Sequence, residues 1–260
     1  MIGRAKVLAA PGSARVPSER VMSKFGPLWF RADDDVMRPA TKHSGVWEEG
    51  ETEALRRLVQ RGCRFLDVGA HIGYFSLVAH TSAPDVVVHA VEPSPSTASL
   101  LRLNLFAHSI DSTVWELGLG SRRDTLGFSE ADHNPGDGRV VLDLDFADVV
   151  VPVLPADELF PREVFHVVKI DVQGFEDLVL EGMQGVIRRS PNIKILIEFF
   201  PGAILDRGRS PMNTLQSYQR MGFSIEALVG SKVLPLSLDG ILNTCAEAGA
   251  QGFVTLLLSK

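Results

Sequence analysis

Apolar residues along this chain gather in short runs of β type, separated by stretches in which they recur at helical spacing. The strand-like runs are Phe65-Leu66-Asp67-Val68, Val86–Val91, Thr113–Leu117, Phe165–Ile170, Ile193–Ile197, Phe223–Val229 and Phe253–Leu258. Between them, Ile72, Phe75 and Val78-Ala79 mark one helical face. Ala98, Leu101, Leu105 and His108 mark a second, widened by Leu100 and Leu103 and preceded by Ser94-Pro95, the residue types of an N-cap and first helical position. Leu178, Val179, Met183 and Ile187 mark a third, and residues 213–221 a fourth. Strands alternating with helices predict an α/β fold, a doubly wound Rossmann-like sheet of about seven strands.

Two regions break this rhythm. Residues 1 to about 20 are small, basic and punctuated by Pro and Gly, and are expected to be poorly ordered. Pro27–Arg31 and Val36-Met37-Arg38 flank Ala32-Asp33-Asp34-Asp35 and read as a hairpin with an acidic turn. His43–Gly50 reads as a loop, either a lid over a site or a linker anchored by Trp47. Thr52 is the expected N-cap of a helix carrying Leu55, Leu58 and Val59, ended by Gly62. From residue 121 to 155 the β-type runs Thr125–Phe128, Arg139–Leu142 and Val149–Leu154 surround the turn-forming stretch Glu130–Gly138. This predicts a β-hairpin insertion with a mobile loop suited to substrate contacts. Asp132, His133 and Asp137 there read as a solvated loop, and no metal is expected.

The candidate chemistry centres on Asp67-Val68-Gly69-Ala70-His71-Ile72-Gly73. A strand that passes through a glycine turn into a helix brings backbone and free N–H groups close to a ligand. Glu92 ends the next strand, about 20 residues further on, where a ribose-binding acid is expected. The central glycine that a pyrophosphate requires is replaced by His71, and Asp67 would repel a diphosphate while attracting an ammonium or sulfonium. The pattern therefore favours S-adenosylmethionine over NAD. Gly118 leaves the third strand beside the expected adenine pocket. Asn104 is the polar residue on its helix face and offers a hydrogen bond either near the cofactor or to solvent. Asp171 and Glu198 end the fourth and fifth strands, placing two carboxylates over the same crevice. Lys169 shares strand parity with Asp171 and is placed to orient or charge-balance it. Glu176, in the first turn of the next helix, is adequately explained by the helix dipole.

Composition narrows the partners. Over 260 residues, apolar content of 45% and charged content of 22% are those of a globular protein with a sizeable core. A net charge of −6 gives no electrostatic reason to expect nucleic acid or an anionic membrane, and no apolar run approaches a membrane span. Cys63 and Cys245 stand far apart without metal-ligand spacing, which suggests reduced thiols in a cytoplasmic protein. Homo-oligomerisation is left open.

Asp67-Val68-Gly69-Ala70-His71-Ile72-Gly73-Tyr74-Phe75, Glu92-Pro93, Lys169-Ile170-Asp171-Val172-Gln173-Gly174-Phe175-Glu176 and Ile197-Glu198 together resemble the FkbM family of S-adenosylmethionine-dependent methyltransferases. The resemblance runs from about residue 45 to 200, and its most specific part is the block beginning at Lys169. His71 stands where the family usually has Asn, and Gln173 where it usually has Glu. The loss of a carboxylate at Gln173 weakens the expectation of metal-assisted chemistry. The resemblance implies an O-methyltransferase acting on a hydroxyl of a small metabolite such as a sugar or polyketide. It implies a cofactor-binding set of Asp67, Gly69, Ala70, His71, Gly73, Glu92, Pro93, Asn104, Leu117, Gly118 and Asp171, with Asp171 and Glu198 catalytic. Residues 1–50 are then an N-terminal extension, hairpin and lid, and residues 51–260 the methyltransferase domain, with 121–155 inserted. A catalytically silent cofactor-binding subunit and an NAD-dependent oxidoreductase are the alternatives.

Overall fold

The computed structural model describes residues 18–129, 139–141, 147, 149–249 and 252–260. The chain opens with β1 (Ser18–Ser23), β2 (Gly26–Arg31), α1 (Met37–Ser44) and α2 (Glu49–Leu58). The nucleotide-type half follows as β3 (Arg64–Val68), α3 (Tyr74–Ser82), β4 (Val87–Val91), α4 (Pro95–Ala107) and β5 (Ser112–Trp115). Next come β6 (Gly118–Leu119), β7 (Asp124–Ser129), β8 (Arg139–Val141), β9 (Val149–Leu154) and α5 (Ala156–Leu159). The second half consists of β10 (Val167–Ile170), α6 (Glu176–Glu181), α7 (Gln184–Arg189), β11 (Lys194–Phe199), α8 (Pro201–Asp206) and α9 (Pro211–Arg220). It closes with β12 (Ser224–Val229), β13 (Lys232–Leu234), α10 (Leu238–Glu247) and β14 (Val254–Ser259).

The central sheet has eight strands in the order β13-β12-β14-β11-β10-β3-β4-β5. Strands β5, β4, β3, β10 and β11 run parallel, and β14 enters antiparallel between β11 and β12. The chain winds outward from β3 in one direction and from β10 in the other, so the order reverses between these two strands. This is the doubly wound arrangement expected from the alternating strands and helices, with β13 added at the edge. Strand periodicity sorts side chains to the two faces. Phe65, Val167 and Leu196 join a core with α2, α3, α4 and the N-terminal hairpin. Leu66, Val68, Val168, Ile170, Ile195 and Ile197 join a core with α6, α7, α9 and α10.

The structure corrects several local readings. The N-terminal hairpin pairs β1 with β2, Ser18 opposite Arg31, so Ser18–Arg20 belong to a strand. Val36-Met37-Arg38 begins a helix because the Asp34 carboxylate accepts the Val36 and Met37 amides at 3.0 and 2.9 Å. Thr52 lies inside α2 and does not cap it, and its hydroxyl donates to the Trp47 carbonyl at 2.7 Å. The helix carrying Leu178 to Ile187 is two short helices, α6 and α7, separated at Gly182-Met183. The insertion is more than a hairpin: β6, β9, β7 and β8 form a separate four-stranded sheet, which begins at Gly118. The expectations for Glu130–Gly138 and Leu142 lie outside the described residues. Cys63 and Cys245 are free and buried, and burial pushes both thiols up to about 11. Among the described residues, no helix is long and apolar enough to cross a membrane.

Candidate active site

A cavity of about 690 Å³ opens over the C-terminal ends of β3, β4, β10 and β11, where the strand order reverses. Its volume lies in the range of small-molecule sites. The turn after β3 forms its floor. Gly69 has φ 79°, and a Cβ there would lie 1.8 Å from the Asp171 carbonyl oxygen, so no other residue fits. The Gly69 and Ala70 amides donate to the Val91 carbonyl at 2.9 and 3.0 Å, tying the turn to β4. His71 also takes a left-handed conformation, φ 49°, which Asn and His tolerate better than most residues.

Glu92 stands at the end of β4, 6% exposed, and lines the cavity. Its Oε2 accepts the His71 amide and its Oε1 the Ser94 amide, both at 2.9 Å. The His71 and Ser94 amides hold the carboxylate at the cavity wall. Ala70, His71, Pro93, Leu117 and Gly118 line the same end. Burial lowers the His71 pKa, leaving a neutral ring whose Nε2 has no hydrogen-bond partner among the described residues. An acid placed for ribose hydroxyls, an unpartnered ring nitrogen and glycine-shaped walls fit an adenosine group.

Three of the expected cofactor residues lie off the cavity lining. Asp67 is buried beneath the turn, where its Oδ2 accepts the Ser76 hydroxyl at 2.7 Å, and burial raises its pKa to about 6. Gly73 N-caps α3 with φ 89° and shapes the turn from behind. Asn104 faces neither cofactor nor solvent. Its Oδ1 accepts the Trp29 amide at 2.8 Å, and its Nδ2 donates to the carbonyls of Trp29 and Ile72 at 3.0 and 2.8 Å. It thereby fastens the N-terminal hairpin to the cofactor turn.

The opposite end of the cavity is acidic. Lys169 is 2% exposed, with its ammonium 3.0 Å from both Asp171 Oδ2 and Glu51 Oε2 and 4.4 Å from the centre of the Phe75 ring. Gln173 Nε2 donates to Asp171 Oδ1 at 3.0 Å, so both oxygens of Asp171 are held and its orientation is fixed. Asp171 does not cap α6, whose N-cap is Phe175. Glu198 is 6% exposed and lines the cavity, yet its carboxyl makes no hydrogen bond or ion pair among the described residues. Burial, then the neighbouring Asp171, raise its pKa well above the usual carboxylate range. Glu48, in a left-handed conformation just before α2, also lines the cavity. Burial and the facing Glu51 carboxylate raise its pKa to about 8.

Sequence reasoning missed Glu48 and Glu51 as parts of this end. Glu51 is brought there by α2 and also accepts the Thr255 hydroxyl from β14, a contact spanning most of the chain. Glu48 belongs to the pair Trp47-Glu48, which resembles the family's lead-in, whereas Glu51 is one of several acids around the first turn of α2 and no local pattern sets it apart. Glu176 also does more than meet a helix dipole. Its Oε1 accepts the Val172 and Gly174 amides, each at 3.0 Å, and closes the loop that carries Asp171.

The sheet order and the cavity at its switch point define a doubly wound protein that binds an adenosine-containing cofactor. The model of the methyltransferase FkbM domain matches residues 67–225, and the chain belongs to that family, whose methyl donor is S-adenosylmethionine. A 48-residue stretch is 48% identical to the 31-O-demethyl-FK506 methyltransferase FkbM of Streptomyces tacrolimicus, a match covering 18% of each chain. Solved structures with similar chain paths include the O-methyltransferase TomG from Streptomyces achromogenes, in complex with its methyl donor. It is 13% identical, with a TM-score of 0.46 over 83% of this chain and 82% of that one. The TYW2 protein of M. jannaschii is 12% identical, with a TM-score of 0.48 over 98% and 88%.

Proposed function

We propose that this protein transfers a methyl group to a hydroxyl of a small metabolite in the cytoplasm, the acceptor being a sugar, polyketide or related secondary metabolite. The observation that carries this reading is the polarity of one cavity: a ribose-type acid, Glu92, at one end and a carboxylate group around Asp171 at the other. An oxygen acceptor is also supported by the name of the matched O-demethyl-FK506 methyltransferase.

When bound, S-adenosylmethionine supplies an electrophilic methyl group on a sulfonium. The chain's own residues then have three tasks. Glu92, His71 and the Gly69 turn hold the adenosine end. Asp171 takes the proton of the acceptor hydroxyl. It follows β10 directly and is less buried than Glu198 on β11, and each of its oxygens has one donor and spare lone-pair capacity. Trp47 and the segment around it cover the cavity and exclude water. Holding the hydroxyl in line is worth up to roughly 7–11 kcal/mol of barrier.

The test is release of S-adenosylhomocysteine from S-adenosylmethionine with a panel of hydroxylated metabolites. Acceptor-dependent release with the methyl group found on oxygen is the expected result. Methyl transfer to nitrogen or carbon alone would overturn the oxygen assignment.

A further inference from the structure

We propose that the acidic end of the cavity is a binding site for a hard divalent cation, with Glu48, Glu51 and Glu198 as its ligands. One carboxylate oxygen from each lies within 4.8 Å of the others. Opposite oxygens around Ca²⁺ stand about 4.6–5.2 Å apart, so one ion can span the three with little movement. The donors are all oxygen, which selects Mg²⁺, Ca²⁺ or Mn²⁺ over softer metals.

A buried acidic cluster alone says little, because internal ion pairs can account for it. Here they do not. Lys169 is the cation paired within the group, and its ammonium contacts Glu51 and Asp171, leaving Glu48 and Glu198 without it as a direct partner. Glu198 is the decisive residue. The residue is 6% exposed, lines the cavity and meets no donor among the described residues. Glu48 Oε2 is buried as well and faces the Glu51 carboxylate, another acid and not a cation. Removing a carboxylate from water without a donor or counter-charge is costly, and a divalent ion removes that cost for both groups at once.

The placement fits the chemistry next to it. Glu48 and Glu198 line the cavity beside Asp171, so a cation between them would offer its open coordination positions to acceptor oxygens at the point where the proton leaves. This consequence rests on the proposed methyl transfer, but binding of the ion does not. Gln173, in place of a further carboxylate, leaves Asp171 oriented by an amide and outside the ligand set.

The experiment is a calorimetric titration of chelator-treated full-length protein with Ca²⁺ and Mg²⁺ at mildly alkaline pH, repeated by Mn²⁺ electron paramagnetic resonance. A single saturable site is expected in the wild type, weakened at least about tenfold in Glu198→Gln and in Glu48→Gln. The thermal midpoint should rise with Ca²⁺ in the wild type and stay level in Glu198→Gln, a comparison that also reports whether the variant folds. Absence of a saturable site at millimolar ion would overturn the proposal and leave protons as the compensating charge, as would undiminished, wild-type affinity in the two variants. A parallel titration with S-adenosylhomocysteine separates the two readings: retained cofactor binding without ion binding removes only the cation site.

Discussion

Asp171 is gripped on both oxygens, by the Lys169 ammonium and by the Gln173 amide, and its backbone carbonyl abuts the Gly69 turn. It therefore links the Gly69 turn to the acidic end of the cavity. Asp171→Asn should lower kcat by roughly 10²–10⁴ with cofactor affinity little changed. A raised KM for the cofactor with an intact kcat would instead make Asp171 a cofactor ligand. Glu176 yields a prediction about stability. Burial raises its pKa from the ordinary 4.5 to about 7. A carboxyl that binds its proton more tightly when folded contributes most below the unfolded value, and that contribution is lost as pH rises through the folded one. Stability should thus fall between about pH 4.5 and 7, with Glu176 responsible for on the order of 3 kcal/mol. Glu176→Gln keeps an acceptor for the Val172 and Gly174 amides, so denaturant unfolding at pH 5 and pH 8 should differ less than in the wild type. An unchanged difference would refute this. At this scale the sequence was most informative at strand ends, where parity and position alone place Glu92, Asp171 and Glu198. The partners of Asp67 and Asn104, Ser76 and the Trp29 backbone, were not legible because they are set by packing that spacing does not encode.

The elements that surround the sheet were harder to foresee than the sheet itself. Core strands were legible because each is a short, mostly apolar run between turns or helices. The start of α4 was legible because Ser94 caps it, accepting the Thr97 amide at 3.3 Å. The N-terminal hairpin and α1 were not, since the acidic stretch at 33–35 suits a hairpin turn as well as the helix entry that Asp34 creates. The segment 43–50 lies between these cases. It holds the end of α1, a left-handed Gly45 and Trp47, whose amide donates to the Tyr74 hydroxyl at 3.0 Å. Trp47 and Glu48 line the cavity, which supports a lid hinged near Gly45. Hydrogen exchange across 43–50 should slow when S-adenosylhomocysteine is added, because closure holds those amides away from water. Equal exchange with and without ligand would show a fixed wall instead.

Across the whole molecule, two apolar cores on opposite faces of one sheet leave the cavity at their common edge. Four acidic residues meet inside, where Glu48, Glu51, Asp171 and Glu198 gather around Lys169. That internal concentration was invisible in the composition, because residues distant in sequence meet only when α2 folds over β10 and β11. The cavity itself was legible, since the glycine turn and the acid that ends β4 lie at the spacing such sites require. Glu92 and the Gly69 turn are proposed to form the adenosine site for the methyl donor. Calorimetric titration with S-adenosylhomocysteine, in the wild type and in Glu92→Ala, tests it most directly. The wild type should bind at one site, and Glu92→Ala should lose about 1–3 kcal/mol of affinity because the ribose hydroxyls and the His71 and Ser94 amides lose their acceptor. No heat of binding in the wild type, or identical affinity in the two proteins, would contradict the account.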